Sequence, residues 1–263
     1  MNAISLSPSD LAIAASLVAF DALLSVVLRL RLHRQVLWAS ARMVVQLTAV
    51  GYLLRLVFAL KNPAATLVLV VVMAAVAARE IAARPERKFK HGAGLLLSAT
   101  GVAIATFVTV ILALATAIRP QPWYDARYAI SLTGIILGSV LNSGSLALDS
   151  LLSAVGLQRN AIEAQLALGS TFHDAMAPLL RDAVRRGLLP VINQMSAAGV
   201  ITLPGIMTGQ ILAGLDPLEA VKYQILLMFL LAGSSGLSAL IIAFGAVRRL
   251  TDERQRLRLD RLT

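Results

Sequence analysis

Seven apolar runs of bilayer-spanning length occupy most of this 263-residue sequence. A helix needs roughly 20 residues to cross the hydrocarbon layer of a membrane. The runs cover residues 11–30, 37–60, 64–83, 92–118, 128–148, 188–212 and 218–247. They predict an all-α, polytopic integral membrane protein with about seven transmembrane helices. The composition agrees, since 58% of the residues are hydrophobic and only 14% are charged, whereas about a quarter of the residues in a globular chain are charged.

Basic residues gather in alternate loops between these runs. Most of the 24 Lys and Arg residues follow the first, third, fifth and seventh runs. Because positive charge is retained on the cytoplasmic side of a membrane, the pattern predicts an N-terminus outside and a C-terminus inside. We expect residues 1–263 to form one transmembrane domain with a basic cytoplasmic tail at 248–263. Anionic headgroups of the lipid bilayer explain the basic loops, so no nucleic-acid partner is expected.

The sixth apolar run contains residues that interrupt a helix. Pro204 and Gly205 mark the break, and irregular backbone at membrane depth is tolerated only where it faces protein or water. The break therefore predicts a transport pathway. Uncharged polar and thioether side chains in the spans are the candidates to line it, namely Gln46, Asn142, Asn193, Met195, Met207 and Gln210. For each of them, a packing or hydrogen-bonding contact between helices is the alternative role.

The predicted cytoplasmic connection at 150–187 is much longer than a turn requires. Asn160 followed by Glu163 fits an N-cap with a capping acid, and Thr171 begins the same pattern again. Gly169 lies between them and is typical of a helix end. Two short helices are therefore predicted, the second an amphipathic helix on the cytoplasmic face of the membrane. A simple interfacial connector and a partner-docking element are both consistent with this pattern.

Several segments resemble those of one group of transporter subunits. Ala-Arg-Met-Val-Val-Gln at 41–46, Ala-Leu-Gly-Ser-Thr at 167–171 and the stretch at 199–225 occur in the expected order. In these segments the sequence resembles the FetB-type iron export permeases, the membrane subunits of a group of ATP-binding-cassette transporters. The resemblance implies a homodimeric permease of the bacterial inner membrane that exports iron with a separate ATPase subunit. It also implies that ATP and Mg²⁺ bind on that subunit, and that this chain binds no cofactor.

A second resemblance concerns the connection between the fifth and sixth runs. The segment from Glu163 to Gly169 is similar to the start of the Glu-Ala-Ala motif of transporter permeases, with Gln165 in place of the second alanine. In those permeases the segment forms a coupling helix that fits a groove on the ATPase. The resemblance implies that Glu163, Ala164 and Gly169 couple this chain to its ATPase partner.

Other function classes have less support in the sequence. The chain contains no Gly-x-x-x-x-Gly-Lys-Ser/Thr loop, so we do not expect it to hydrolyse ATP itself. An enzyme would require a cluster of acidic or histidine side chains, and no catalytic residue is predicted. An ion-driven secondary transporter is the alternative, but it normally relies on ionisable residues in the membrane. Asp21 is the clear mid-span example. It is a candidate for a substrate or gating role, and the alternative is a structural role such as a protonated acid bonded to another helix.

The nature of the cargo is left open by the sequence. Iron favours carboxylate and imidazole ligands, which the predicted spans largely lack, and the absence of cysteine excludes a thiolate site. No metal ligands are therefore predicted. A free metal ion, a chelated or conjugated metal and an organic molecule all remain candidates.

Overall fold

A computed structural model of the chain describes residues 7–60, 62–90, 92–121 and 125–263. Within these residues the chain forms nine α-helices and no β-strand, which confirms the predicted all-α class. The fourth helix continues into a π-helix at Ala113–Ile118, and a 3-10 turn lies at Leu259–Arg261. The helices are α1 (Pro8–Val27), α2 (His33–Leu60), α3 (Pro63–Ala83), α4 (Ala93–Leu112), α5 (Ala126–Leu157), α6 (Arg159–Ala167), α7 (Phe172–Ala197), α8 (Gly205–Leu212) and α9 (Pro217–Arg249).

The helices belong to two compact units. The first consists of Met1–Asn62 with Leu212–Gly214, and in it α1 and α2 pack against each other. The second consists of Pro63–Ile211 and Leu215–Thr263. The candidate site described below lies in the second unit.

Six of the described helices are long and apolar enough to cross a membrane: α1 to α5 and α9. They coincide with six of the seven predicted runs. The remaining run, at 188–212, is divided between the end of α7, an irregular segment and the short helix α8. The structure thus gives six candidate spans among the described residues, where the sequence predicted about seven.

The helix starts predicted in the 150–187 connection agree with the structure in part. The Thr171 hydroxyl accepts a hydrogen bond from the Asp174 amide at 3.2 Å, so the predicted helix start at Thr171 is confirmed. The predicted N-cap at Asn160 is wrong, because α6 begins at Arg159 and its N-cap is Gln158, two residues earlier, without a side-chain hydrogen bond. The connection is also shorter than predicted, since α5 extends to Leu157.

Helix α5 is the central helix of the second unit. It packs against α3, α4, α7 and α9. Ile136, Val140, Leu148 and Leu151 are almost fully buried along it. Close packing of this kind, rather than exclusion of water, holds helices together in a membrane, so α5 provides a rigid base for the polar residues on its surface.

Helix α7 differs most from its prediction. Its apolar face was expected to lie on the membrane surface, but Phe172, Met176, Leu180 and Ala183 are buried in the hydrophobic core of the second unit. The whole helix is 26 residues long and continues through Pro178 and Pro190. The 3.6-residue period indicates that a helix has an apolar face, but it does not indicate whether lipid or protein covers that face. In this chain, protein covers it.

The close contact of α7 with α5 and α9 generates a testable prediction. A Cβ atom on Gly187 would lie 2.8 Å from the backbone oxygen of Ser143 and 3.1 Å from the Cβ atoms of Ala147 and Ala239. Because backbone cannot easily move aside, we expect Gly187→Ala to destabilise the protein by about 1–3 kcal/mol through overpacking. A lowered midpoint of thermal unfolding in detergent would reveal this loss.

The matched control is Gly138→Ala on α5, where an added Cβ atom meets nothing within 4 Å. Alanine is favoured over glycine in a helix by roughly 0.5–1 kcal/mol, so this variant should unfold at the same or a higher temperature. Equal unfolding midpoints for the two variants would contradict the close packing at Gly187.

Candidate functional site

The backbone leaves helical geometry between α7 and α8. Gly199 adopts a left-handed conformation with φ of 82°, which glycine tolerates without strain. The segment then forms backbone hydrogen bonds within tight turns. The amide of Gly199 donates to the carbonyl of Thr202 at 2.9 Å, and the amide of Ile201 donates to the carbonyl of Ala197 at 3.0 Å. Pro204 directly precedes α8. The break is therefore an ordered structure.

A cavity of about 420 Å³ lies beside this break. It is bounded by α5, α7, α9 and the backbone at Pro204 and Gly205. Its polar lining side chains are all uncharged: Ser139, Asn142, Ser143, Gln194 and Gln224. A concave space with a few converging polar groups is the usual form of a small-molecule site.

Gln224 is the most informative residue of the cavity. It is only 6% exposed, and within the described part of the chain its Oε1 atom has no hydrogen-bond partner. A buried acceptor left unpaired costs about 1–3 kcal/mol. By contrast, the Ser139 and Ser235 hydroxyls share a 2.6 Å hydrogen bond, and the buried Ser238 hydroxyl donates to the carbonyl of Val140 at 3.1 Å. Gln224 Oε1 is thus a buried acceptor of the cavity lining with unused hydrogen-bonding capacity.

The predicted pathway residues do not all meet at this cavity. Asn142 lines it, together with Pro204 and Gly205. Asn193 and Met195 are exposed on α7, and Met207 and Gln210 are half-buried on α8. Gln46 is exposed on α2 in the first unit.

Sequence reasoning missed Ser139, Gln194 and Gln224. Gln194 lies on the same face of α7 as Gly187 and Val191, which are seven and three residues before it at helical spacing, whereas the predicted Asn193 does not. Gln224 is the last polar residue of the 199–225 stretch. Its burial depends on the packing of α9, which the sequence alone does not reveal.

Helix α6 forms a second candidate site. Ile162 anchors it in the core, while Glu163, Ala164 and Gly169 are exposed. The Arg159 guanidinium Nε lies 2.9 Å from Glu163 Oε1. Gly169 follows the helix with φ of 92°, a left-handed conformation that typically ends a helix. The result is a short, anchored helix with one face free for a partner.

Clusters of metal ligands are not a feature of the described residues. No group of three or more His, Asp or Glu side chains lies close enough there to hold a metal ion. Asp21 is exposed on α1.

Comparison with known proteins identifies the family of the chain. Residues 8–251 match the uncharacterised protein family UPF0014. The chain belongs to the UPF0014 family. The matched region includes the cavity, the break and α6, and the six candidate spans fit the membrane proteins of this family.

Relatives are found in bacteria and plants. A UPF0014 membrane protein of Synechocystis is 41% identical over 87% of this chain and 87% of its own length. The probable iron export permease protein FetB of Escherichia coli is 30% identical over 100% of this chain and 99% of its own length. The protein ALUMINUM SENSITIVE 3 of Arabidopsis thaliana is 29% identical over 87% of this chain and 82% of its own. No solved structure matches the chain significantly.

The unpaired state of Gln224 generates a second prediction. Replacing an unsatisfied buried amide by an apolar group of similar size is nearly neutral or stabilising. We expect Gln224→Leu to unfold in detergent at the same or a higher temperature than the unmodified protein. As a control, Ser238→Ala removes a satisfied hydrogen bond and should cost about 0.5–1.5 kcal/mol. An equal loss of stability in both variants would mean that Gln224 has a structural partner.

Proposed function

We propose that this protein is the permease subunit of an ATP-binding-cassette transporter that exports a metal-containing cargo from the bacterial cytoplasm. The single observation that carries the proposal is the uncharged polar cavity beside the α7–α8 break, whose lining includes Gln224 with a buried Oε1 atom that has no partner among the described residues. The full-length similarity to a probable iron export permease supports a metal as the exported cargo.

The proposal includes a route by which ATP hydrolysis acts on the cavity. Under it, the exposed face of α6 docks on a separate ATPase, and Gly169 joins α6 to α7 through a short turn. The amides of Gly169 and Ser170 donate to the carbonyls of Leu166 and Gln165 at 3.1 Å, which keeps this turn compact. Because α7 continues from Phe172 to the cavity residue Gln194, a displacement of α6 is transmitted along one helix to the break.

The membrane arrangement follows from the same route. We propose a location in the bacterial inner membrane, with α6 and the C-terminus in the cytoplasm and the N-terminus outside. Two copies of the chain form a homodimer that carries two ATPase subunits, since the six candidate spans are half the usual complement of such a transporter. ATP and Mg²⁺ bind on the ATPase subunits.

The chemistry of the cavity favours one form of the cargo. Hydroxyl and amide oxygens are weak ligands for a bare iron ion, which prefers carboxylate and imidazole groups. A charged ion that leaves water for uncharged groups is also costly to desolvate. The lining of Ser139, Asn142, Gln194 and Gln224 therefore favours a metal already enclosed by its own ligands. Export of an organic molecule is the second candidate, supported by the same lining.

ATP-dependent uptake into inside-out membrane vesicles tests the proposal. Vesicles contain the chain and its candidate ATPase, and uptake of iron, manganese, zinc and aluminium is measured as free ions and as citrate complexes, with and without ATP. We expect ATP-dependent accumulation of metal. Accumulation driven by a proton gradient without ATP would instead indicate a secondary transporter and contradict the proposal.

A charge reversal on α6 tests the coupling route. Glu163→Lys should abolish stimulation of the ATPase by the chain, because it replaces an exposed acid on the docking face while leaving Ile162 in the core. The control is Glu219→Lys on α9, which makes the same charge change. Each variant loses one surface ion pair, with Arg159 for Glu163 and with Lys222 for Glu219. Each surface pair is worth only about 0–1 kcal/mol, so both variants should insert and fold. Full ATPase stimulation by Glu163→Lys would argue against docking on α6.

A further inference from the structure

The C-terminal tail, defined as residues 250–263, is an ordered part of the second unit. After α9 ends, the tail folds back on the end of that helix: the Arg258 amide donates to the carbonyl of Leu250 at 2.8 Å. The Arg261 guanidinium donates to the carbonyls of Arg249 at 2.7 Å and Thr251 at 3.0 Å. A positive group at the C-terminal end of a helix also complements the helix dipole. The tail is therefore fixed to α9.

The tail is also joined to the connection between α3 and α4. The Lys90 amide donates to the carbonyl of Arg261 at 2.9 Å, and the Thr263 amide donates to that of Lys88 at 2.8 Å. The Lys90 Nζ donates to the carbonyl of Asp260 at 2.9 Å. These bonds use backbone groups from the last residues of the chain, so they fix the position of the whole tail.

A third contact brings the tail to the start of α7, next to α6. The Phe172 amide, at the first position of α7, donates to Gln255 Oε1 at 3.0 Å. Such an amide has no partner within its own helix, so Gln255 satisfies it. Between the tail and α6 lies an open groove of about 750 Å³. Tail residues 253–257 form one wall of the groove, and Glu163, Leu166 and Ser170 form the other.

Most charges of the tail are already paired within it. Asp252 accepts from the Arg256 amide and side chain at 3.0 and 2.9 Å, and Asp260 pairs with Arg258 at 2.7 Å. The hydrogen bonds from Arg256 lower the pKa of Asp252 to about 2, and those from Arg258 lower the pKa of Asp260 to about 2. Because both pKa values are lowered on folding, the contribution of these pairs is present at neutral pH and is lost only in strong acid.

Arg254 differs from the tail arginines Arg256, Arg258 and Arg261, whose side chains all form hydrogen bonds within the second unit. Its side chain is exposed and lines the groove, and it forms no ion pair with any other described residue. An unpaired guanidinium on a rigid support is suited to bidentate binding of a carboxylate. Leu168, at the end of α6, is 87% exposed and offers an apolar contact near the same groove.

We propose that the tail forms the second half of the ATPase-docking surface. In this arrangement, which rests on the proposed function, the ATPase contacts both α6 and residues 253–257, and one of its carboxylates binds Arg254. Because Gln255 connects the same segment to the first residue of α7, the two contacts of the ATPase converge on the helix that leads to the cavity.

The test compares three full-length variants in nanodiscs of zwitterionic phosphatidylcholine. The affinity of the candidate ATPase for each is measured by titration. Arg254→Glu should weaken binding by about tenfold or more, since an ion pair becomes a like-charge contact. Arg127→Glu, an exposed arginine near the start of α5, is the matched control and should bind normally. Glu163→Lys should weaken binding through α6.

The outcomes separate the two proposals. Weak binding by Glu163→Lys with normal binding by Arg254→Glu would overturn the role of the tail and leave α6 docking intact. No binding of the ATPase to the unmodified chain would overturn the proposed function itself. If Arg254→Glu affects the complex only in nanodiscs that contain anionic lipid, Arg254 binds headgroups and the tail proposal is wrong.

A second measurement excludes loss of the tail fold as the cause. Hydrogen exchange of residues 257–263 should be unchanged in Arg254→Glu, because the hydrogen bonds that hold these residues in the described part of the chain do not involve the Arg254 side chain. If exchange increases in Arg254→Glu, the binding measurement is repeated with Arg254→Ala instead. Normal ATPase binding by an Arg254→Ala variant whose tail remains ordered would contradict the proposal.

Discussion

Backbone hydrogen bonding in lipid is the constraint on which the rest of this structure depends. Each unpaired amide or carbonyl in the hydrocarbon layer costs several kcal/mol, so a membrane span that stops being a helix must be covered by protein or reached by water. The chain stops being helical between Ala197 and Gly205. There the backbone forms tight turns at 197–202 beside a cavity bounded by α5 and α9, which is the arrangement that the constraint would require of a break at membrane depth.

The sequence predicted the helices well where they are simple. Apolar runs located α1 to α5 and α9, because length and hydrophobicity alone decide whether a segment can cross a membrane. The end of α5 was missed, since the run stops at 148 and the helix continues to Leu157. The sequence did not predict the placement of helices whose position depends on tertiary contacts. The helical period of the apolar residues in α7 is equally consistent with a helix on the membrane surface and with a helix packed against protein. Only the contacts of Met176 and Leu180 in the hydrophobic core show that α7 packs within the second unit.

The candidate site was predicted in part for the same reason. Pro204 and Gly205 locate a break through their own backbone chemistry, and Asn142 was found as a polar residue in an apolar span. Gln224 could not be found in this way. Its importance arises from burial and from the lack of a partner in the described residues, and both depend on how three distant helices meet.

The second unit connects its surfaces to its cavity through few elements. The start of α7, the tail and the α3–α4 connection are joined by hydrogen bonds such as those of Gln255 with Phe172 and of Lys90 with Arg261, and α6 leads directly into α7. α7 leads from this assembly to the break. A partner that moves α6 and the tail together therefore acts on the cavity through one continuous helix, which is the physical basis for coupling in our account.

Cysteine accessibility at the cavity tests the central claim most directly, which is that the space beside the break is a water-accessible path. The chain contains no cysteine, so a single introduced thiol gives an unambiguous signal. Ser139→Cys, in the cavity lining, should react in vesicles with a charged, membrane-impermeant methanethiosulfonate, whereas Phe229→Cys, 69% exposed on α9, should face lipid and remain unlabelled. If Ser139→Cys is as unreactive as Phe229→Cys in both the presence and the absence of ATP, the cavity is not a transport path and the account is wrong.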